Sequence, residues 1–484
     1  MFSSSSSSNN NNTGAGQQQK DAKSVGAVVN GRTATTTTSN DENSPNAIVI
    51  IGAGAFGTST AIALALRGHQ KVVLVDPVLP VTSSLKASHL DQPHPSQPVS
   101  SSHDISKILR GDYGKDAFYF ELFQRAWKKW KQLEDKWRAV VPKSMFHWTG
   151  VGFVTGIDTT TAPPQPLDNN NSNNMTSSSF ERVSFEELTK QPELPQPTLL
   201  DSTGKIRSRL RGLNRGVAQY DWGYWNPIGG WGESGRILAQ MHQDAAELGV
   251  QFMSHSAATL LRSGDKVVGA RLTNGQEILG SMTLVCCGAW TRFLVSETKE
   301  LVKASAMSVF HLERPLPDTL VPDCPVTLDI SQSGFYIFPF HPSTSVIKIG
   351  HHGAGYPLEE PASRASLDAL AKQLRPIEEV KFRKYLSLYL PDLAQAKIAN
   401  FLICQYCDSH NGDFLIDRVP GTTGLLVACG GSGHGFKFAS VIGDIVADVV
   451  ENKENPDPIF RVARQRFAWR SADVRGSEEA RAKL

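Results

Sequence analysis

The chain has 484 residues, with 49 Lys or Arg against 47 Asp or Glu, for a formal net charge of +2. That balance gives no bulk field to recruit nucleic acid or an anionic membrane, and the length allows a large core divided between two domains. Six cysteines, at 286, 287, 324, 404, 407 and 429, are too few and irregular for a secreted disulfide framework and fit a reducing compartment.

No apolar signal opens the sequence, and residues 1–44, rich in Ser, Asn, Thr and Gly, are expected to be disordered. Order is expected from Asn46 onward, in NAIVIIGAGAFGTSTAIALALRGHQKVVLVDP. Residues 47–51 are an apolar run suited to a buried parallel strand. Gly52, Gly54 and Gly57 supply G-x-G-x-x-G, apolar positions continue at helical spacing to Gly68, and a second apolar run at 72–75 ends in Asp76. This is the pattern of a dinucleotide cradle. Gly52 permits the tight turn, Gly54 keeps side chains off a pyrophosphate, Gly57 lets helix approach strand, and Asp76 accepts from a ribose hydroxyl. Residues 47–66 are also twenty without a charge, long enough to span a bilayer. The glycines and the acid-tipped strand argue instead for a buried βαβ unit, so no membrane partner is expected. The triplet does not choose between nicotinamide and flavin.

Residues 81–103 read as a polar, proline-containing loop, followed by DISKILRGDYG with Lys107 and Arg110. Phe120, Phe123, Trp127 and Trp130 recur at helical spacing in 116–138 and are assigned to the core. Residues 147–157 look like a strand pair, leading into a mobile insertion at 158–179. Ile237, Leu238, Met241 and Ala245 mark a helix. Strands are expected at 250–260 and 267–272, with a hairpin at Asn274-Gly275, and another at 282–291. From 301 the pattern becomes a mainly antiparallel sheet through 309–315, 326–330, 334–340 and 346–350, then helical segments over 365–391. Gly430, Gly431, Gly433 and Gly435 precede apolar positions at helical spacing, giving a second glycine-rich helix start. A Rossmann-like α/β domain assembled from 45–115, 228–300 and 400–450 follows from this order. An α+β domain takes 116–227 and 301–399, and 451–484 form a tail.

Several residues in this frame carry chemistry. Cys404 and Cys407 form C-x-x-C, but neither a thioredoxin context nor further zinc ligands accompany them, His410 included, and no metal is expected. Lys437, at the glycine-rich helix start, and Arg110 are suited to a carboxylate. Lys348 sits between apolar neighbours in VIKIG, where burial lowers its pKa and calls for a role or a partner. Tyr336 and His352 are nearby polar candidates. For each of these, an ordinary surface charge or a satisfied core group remains the alternative.

The segments VIIGAGAFGTSTAIALALRG, KILRGDYG, GFYIFP with VIKIGHH, CQYC with GDFLID, and GGSGHGFKF occur in that order over about 46–450. Together they resemble the monomeric sarcosine oxidase family of FAD-dependent amine oxidases, which includes pipecolate, saccharopine and fructosyl amino acid oxidases. The resemblance implies an FAD-binding domain of the glutathione-reductase type beside the α+β substrate domain. It implies FAD held by the first glycine motif and by Gly433, His434, Gly435, Phe436 and Lys437, and attached through its 8α-methyl group to Cys404. Tyr406 is then the motif tyrosine, and Cys407 stands where a threonine is common. Arg110 and Lys437 become the carboxylate clamp, Lys348 the oxygen-activating lysine, and Tyr336 and His352 active-site residues. Lys107 replaces an arginine beside the flavin, keeping its charge and losing its fork geometry.

The reaction implied is oxidation of a small amino-acid-like amine to an imine that hydrolyses, with O2 as acceptor and H2O2 as product, by a monomer. Fructosyl-specific relatives carry an acid before the proline of the GF…P strand, where this chain has Phe338. An N-alkyl or cyclic secondary amino acid such as sarcosine, L-pipecolate or L-saccharopine is therefore expected. A fructosyl amino acid or an amine-bearing specialised metabolite is the alternative. Phe335, Phe338 and Phe340 are candidates to line the substrate site. A NAD-dependent dehydrogenase and an inactive FAD-fold binding protein are the readings from other classes. The ending Ala482-Lys483-Leu484 is a conservative variant of the S-K-L address, which implies a peroxisomal import receptor as partner and the peroxisome, rather than the cytoplasm, as location.

Overall fold

The computed structural model describes residues 46–79, 100–156, 180–213, 216, 220–318, 320–353 and 355–469, all within one contact unit. The low-complexity start, most of the 81–103 loop, the 158–179 insertion and the Ala-Lys-Leu end lie outside the described residues.

The glycine-motif segment folds as β1 (Ile48–Ile51), α1 (Ala55–Leu66) and β2 (Val72–Val75), with the two strands paired in parallel. Both strands are buried throughout, which is why they are apolar without alternation. The uncharged run is thereby divided between a strand, a turn and a 12-residue helix. Among the described residues no helix is long and apolar enough to cross a membrane. Around β1 and β2 forms a six-stranded sheet in the order Leu415–Arg418, Leu425–Cys429, Met282–Val285, β1, β2, Gln251–Met253. Its pairings are parallel except at the Leu415–Arg418 edge.

The second large sheet has nine strands and is mainly antiparallel. Its long strands Val302–Glu313 and Ile398–Ser409 pair along their length, and Val346–His351, Phe335–Phe340 and Val326–Asp329 follow in turn. A parallel pairing then brings in Val151–Thr155. A small sheet places β3 (Lys107–Arg110) against Gly229–Gly232, which also pairs with Phe146–His147. The aromatic stripe belongs to α2 (Ala117–Trp137), where Phe123 and Trp130 are buried while Phe120 and Trp127 are half-buried. Asp116 caps this helix by accepting from the Tyr119 amide at 3.3 Å.

Four expectations change. The strands of 147–157 are not partners: Phe146–His147 joins the small sheet and Val151–Thr155 the large one. Gly150 turns the chain between them at φ +76, where a Cβ would lie 2.2 Å from the Trp225 ring nitrogen. The boundary expected at 400 falls inside Ile398–Ser409, which the register from Leu312↔Ile398 to Val302↔Ser409 holds in the nine-stranded sheet. The helix expected directly after GGSGHGF starts later, at Ile442, with a single 3-10 turn at Phe436–Phe438 before it. Positive φ at Ser432 and Gly433 turns the chain there, and a Cβ on Gly433 would lie 2.6 Å from the Tyr406 ring. The helical segments of 365–391 are one helix, Arg364–Tyr389, continuous through Pro376.

Candidate active site

A cavity of about 330 Å³ takes its walls from both large sheets, with Gly52, Gly54 and Asp76 at one end and Lys348, His352 and Lys437 at the other. At the first end the backbone does the shaping. Gly52 has φ +103, and a Cβ there would lie 2.5 Å from the Cys286 carbonyl oxygen at the end of the neighbouring strand. A Cβ on Gly57 would lie 1.8 Å from the Gly52 oxygen, so this glycine permits the close approach of helix to strand and does not line the cavity. Gly54 faces the cavity, the nearest atom to its Cβ position being Ser102 Oγ at 3.1 Å. The Asp76 carboxylate accepts from the amides of Ala53 at 2.8 Å and Val78 at 2.9 Å. Burial raises its pKa against those two bonds. His242 Nε2 donates to the Ala53 carbonyl at 2.9 Å and pins the same turn from behind.

Gly431, Gly433 and Gly435 also line the cavity, the last beside Phe56 of α1, and the nearest atom to a Cβ on Gly431 is 3.9 Å away. Two glycine turns that line one cavity, with an acid at the tip of β2, suit the diphosphate and ribose of FAD.

At the other end side chains dominate. Arg110 closes β3 and is 5% exposed, its guanidinium donating to the Asp112 carbonyl and lying 5.5 Å from the centroids of Tyr113 and Phe153. The Lys437 ammonium donates to the Tyr113 hydroxyl at 3.0 Å, and the Lys437 carbonyl accepts from the Trp130 indole at 2.8 Å. Tyr113 in turn lies 2.9 Å from His434 Nδ1. His434 Nε2 faces the Gly412 carbonyl at 3.0 Å and so carries the proton, leaving Nδ1 to accept from Tyr113. Burial pushes the Lys437 pKa well below the usual lysine range, and Arg110 repels it further, against attraction from Asp112. Burial also lowers His352 to about 4, with Arg110 and Lys437 adding to the effect. Arg110 and Lys437 are thus near enough to repel each other and to help keep His352 neutral. Among the described residues that line the cavity the one acid is Asp76, at the far end.

Behind this group lies a buried charge cluster. The Lys348 ammonium, 1% exposed, donates to Asp104 Oδ2 at 2.5 Å and to the Ser106 carbonyl at 2.7 Å, and stands 4.7 Å from the Phe338 ring centroid. Lys107 donates to the same Asp104 oxygen at 3.0 Å. Burial brings Lys348 to about 8, against the pull of Asp104. Burial would lower Lys107 too, but Asp104 outweighs it and holds that lysine above its usual range. Tyr336 is hydrogen-bonded to Tyr406, and its hydroxyl occupies the space that a Cβ on Gly350 would need.

Of the residues singled out in the sequence, Gly52, Gly54, Asp76, Lys107, Arg110, Tyr336, Lys348, His352, Gly433, His434, Gly435, Phe436 and Lys437 line this one cavity. Cys404 does not line it; its thiol is buried 3.9 Å from the Lys107 ammonium. Burial raises the Cys404 pKa, and Lys107 works against that. Cys407, three residues on in the same strand, does line the cavity, as Tyr406 does, and the Gly430 amide donates to its sulfur at 3.4 Å. The apparent dithiol is therefore two separate thiols. Phe338 lines the cavity. Phe335 instead stacks on His351 and Tyr385, and Phe340 lies under Arg314.

Sequence reasoning missed Asp104, Tyr113, Ser102 and His242. The first two sit in DISKILRGDYG beside residues that were picked, and an acid three places before a lysine in an apolar stretch was the available signal. Ser102, which accepts from the Ala55 amide at 3.0 Å, and His242 had none, because their partners are distant in sequence.

Comparison with known proteins gives the family and the fold. Residues 47–449 match the family model described as FAD dependent oxidoreductase, DAO. L-saccharopine oxidase of Schizosaccharomyces pombe is 26% identical over 436 residues, covering 83% of this chain and 88% of that protein. Monomeric sarcosine oxidase of a Bacillus species is 22% identical over 88% of this chain and 98% of that protein. Among solved structures, the fructosamine oxidase amadoriase II of Aspergillus fumigatus superposes with a TM-score of 0.67 at 22% identity, covering 90% of this chain and 92% of that one. The expected FAD-type α/β sheet beside a mainly antiparallel one is thus the fold of these relatives as well. The chain belongs to the DAO family and is an FAD-dependent oxidoreductase.

Proposed function

We propose that this enzyme oxidises the C–N bond of a secondary amino acid, N-alkyl or cyclic, with O2 as electron acceptor. The observation that carries this reading is the pair of buried cationic side chains, Arg110 and Lys437, that line one cavity with neutral His352, while Asp76 is the one acid among the described lining residues. A substrate carboxylate relieves the repulsion between the two cations, and Arg110 and Lys437 are placed to hold it. Ile108, Leu328, Ile330 and Phe338 add apolar surface to the lining of the same cavity. That apolar lining suits the alkyl part of sarcosine or L-pipecolate better than the hydroxyls of a fructosyl group.

His352, held neutral, can accept a hydrogen bond from the substrate amine. Bound FAD would supply the two-electron acceptor: the substrate C–N bond gives up two electrons and two protons to become an imine that water hydrolyses, and O2 takes up both electrons and both protons as H2O2. Lys348 supplies fixed positive charge where negative charge develops on oxygen. Cys404 is the proposed covalent attachment point; burial raises its pKa, and the Lys107 ammonium 3.9 Å away works against that rise. The relatives named for saccharopine and sarcosine support an amino acid as the substrate.

The test is an oxygen-consumption screen of the purified protein with sarcosine, L-pipecolate, L-saccharopine, L-proline and fructosyl-valine. Turnover with a secondary amino acid, accompanied by peroxide, is expected. Preference for fructosyl-valine, or flavin reduction that never leads to oxygen uptake, would overturn the reading. For the attachment, Cys404→Ala is expected to abolish flavin colour in acid-precipitated protein; persistence of that colour would exclude Cys404.

A further inference from the structure

The cluster behind the substrate site contains a carboxylate that the reading above does not use. Asp104 is buried and precedes β3, and one of its oxygens, Oδ2, receives both the Lys348 ammonium at 2.5 Å and the Lys107 ammonium at 3.0 Å. The three groups come from two places: Asp104 and Lys107 from the start of β3, and Lys348 from Val346–His351 in the nine-stranded sheet. Lys348 and Lys107 both line the cavity, and Asp104 does not. It touches the cavity only through the lysines.

We propose that Asp104 is a positioning residue for the oxygen step, its carboxylate bridging Lys348 and Lys107 so that Lys348 stays charged and aimed at the cavity. The inference rests on the role given to Lys348 under the proposed function and adds the group that makes that role physically tenable. A lone ammonium at 1% exposure loses most of its hydration, and without a counter-charge it sheds its proton. The other neighbours do not supply one. His311, directly opposite Lys348 in the strand register, is lowered by burial to about 4 and is neutral; its Nε2 has no hydrogen-bond partner. His341 is also lowered by burial, and its Nε2 is committed to the Ile105 carbonyl at 3.1 Å. Cys404 and Tyr336 are both raised by burial and stay neutral, and Phe338 offers only its ring face. Lys107 adds repulsion. Asp104 is the anion that balances the group. Burial would raise its own pKa, but Lys107 and Lys348 outweigh this and hold it well below the usual carboxylate range.

The arrangement also gives Lys107 a function apart from any contact with the flavin. Two ammonium groups share one carboxylate oxygen, so each weakens the hold of Asp104 on the other. Removing Lys107 should leave Lys348 more firmly protonated, and removing the Asp104 charge should do the reverse.

The experiment uses flavin-loaded protein labelled with 15N-lysine, following the Nζ resonance of Lys348, assigned by its loss in Lys348→Met, from neutral to alkaline pH. Asp104→Asn is expected to lower the Lys348 midpoint by about one unit or more, and Lys107→Met to raise it. Asp104→Glu is expected to restore most of the wild-type value. Reoxidation of photoreduced enzyme by O2 should follow the same midpoints, because only the ammonium form assists. If Asp104→Asn folds poorly, a double-mutant cycle in thermal unfolding keeps the question open to refutation. The loss it causes alone should shrink in the Lys348→Met background, where no ammonium is left stranded. An unmoved Lys348 midpoint in Asp104→Asn, or additive losses in the cycle, would overturn the proposal. None of these readings needs an amine substrate, so a failed substrate screen would remove the proposed function without deciding this one.

Discussion

At one end of the cavity Gly52, Gly54 and Gly57 act by lacking side chains, and at the other Arg110, Lys348 and Lys437 act by burying charge. The first end costs little to build: parallel strands and a helix N-terminus create the site, and Cβ-free positions leave room for it. The second end is expensive, because three cations with 5%, 1% and 4% exposure must each be balanced. Asp104 balances one of them through a direct ion pair, while the other two bond to the Asp112 carbonyl and the Tyr113 hydroxyl and share the attraction of one buried carboxylate, Asp112. One acid between two cations leaves positive charge over, and on the proposed function a substrate carboxylate takes it up. A site that binds through backbone is set by fold; a site that binds through buried charge is set by which charges the protein leaves uncompensated.

The largest effects should come from breaking the backbone end. With Gly57→Ala, the new Cβ would lie 1.8 Å from the Gly52 oxygen, and α1 must retreat from β1. A loss of about 3 kcal/mol or more is expected, together with absence of visible flavin absorbance, by thermal unfolding and absorption spectroscopy. Gly54→Ala is the control, since its nearest neighbour is a Ser102 hydroxyl at 3.1 Å. Its unfolding temperature should change little while flavin affinity falls. Should Gly57→Ala keep both stability and flavin, the division into a backbone-built and a side-chain-built end would fail.

Next in size are the uncompensated charges. Lys437→Met should retain flavin and lose about 10²–10³-fold in kcat/KM toward a carboxylate-bearing substrate, the scale of a buried charge partner. The pH dependence gives a second reading. Burial and Arg110 hold the Lys437 pKa well below the usual lysine range, and only its ammonium form attracts a carboxylate. Substrate affinity should therefore fall as pH rises through that lowered pKa, and Lys437→Met should flatten the trend. A variant with the wild-type slope would assign the titration to another group.

The two ends also differ in how far the sequence exposes them. The cradle is local: strand, turn, helix and acid lie within 46–77, and periodicity with three glycines is enough to place them. The substrate end joins β3, Val346–His351 and the 3-10 turn at Phe436–Phe438, which no local pattern connects. Its cations became legible through the family resemblance, which marked Arg110, Lys348 and Lys437 one segment at a time. Their partners did not, because a pairing such as Asp104 with Lys348 spans 244 positions and leaves no periodic trace. The same limit explains the misplaced strand pair at 147–157 and the boundary at 400. Whether a strand pairs with its neighbour in sequence or with one far away is decided by glycine turns and by the register of distant strands.

The smallest expected effect tests whether the dipole partners matter at all. In Tyr113→Phe the Lys437 ammonium loses the oxygen 3.0 Å away and His434 Nδ1 loses its donor, while the ring that packs against Tyr119 and Phe438 remains. The chain from Lys437 through Tyr113 and His434 to the Gly412 carbonyl is then cut at its middle. If that chain only aims the ammonium, KM for the carboxylate substrate should rise about tenfold, the worth of one hydrogen bond to a charged group, with a smaller change in kcat. The same substitution in the Lys437→Met background should add little, because the group being aimed is gone. Equal losses in both backgrounds would mean that Tyr113 meets the substrate itself, and the substrate end would then bind through hydroxyl dipoles as well as through the charges the protein leaves unpaired.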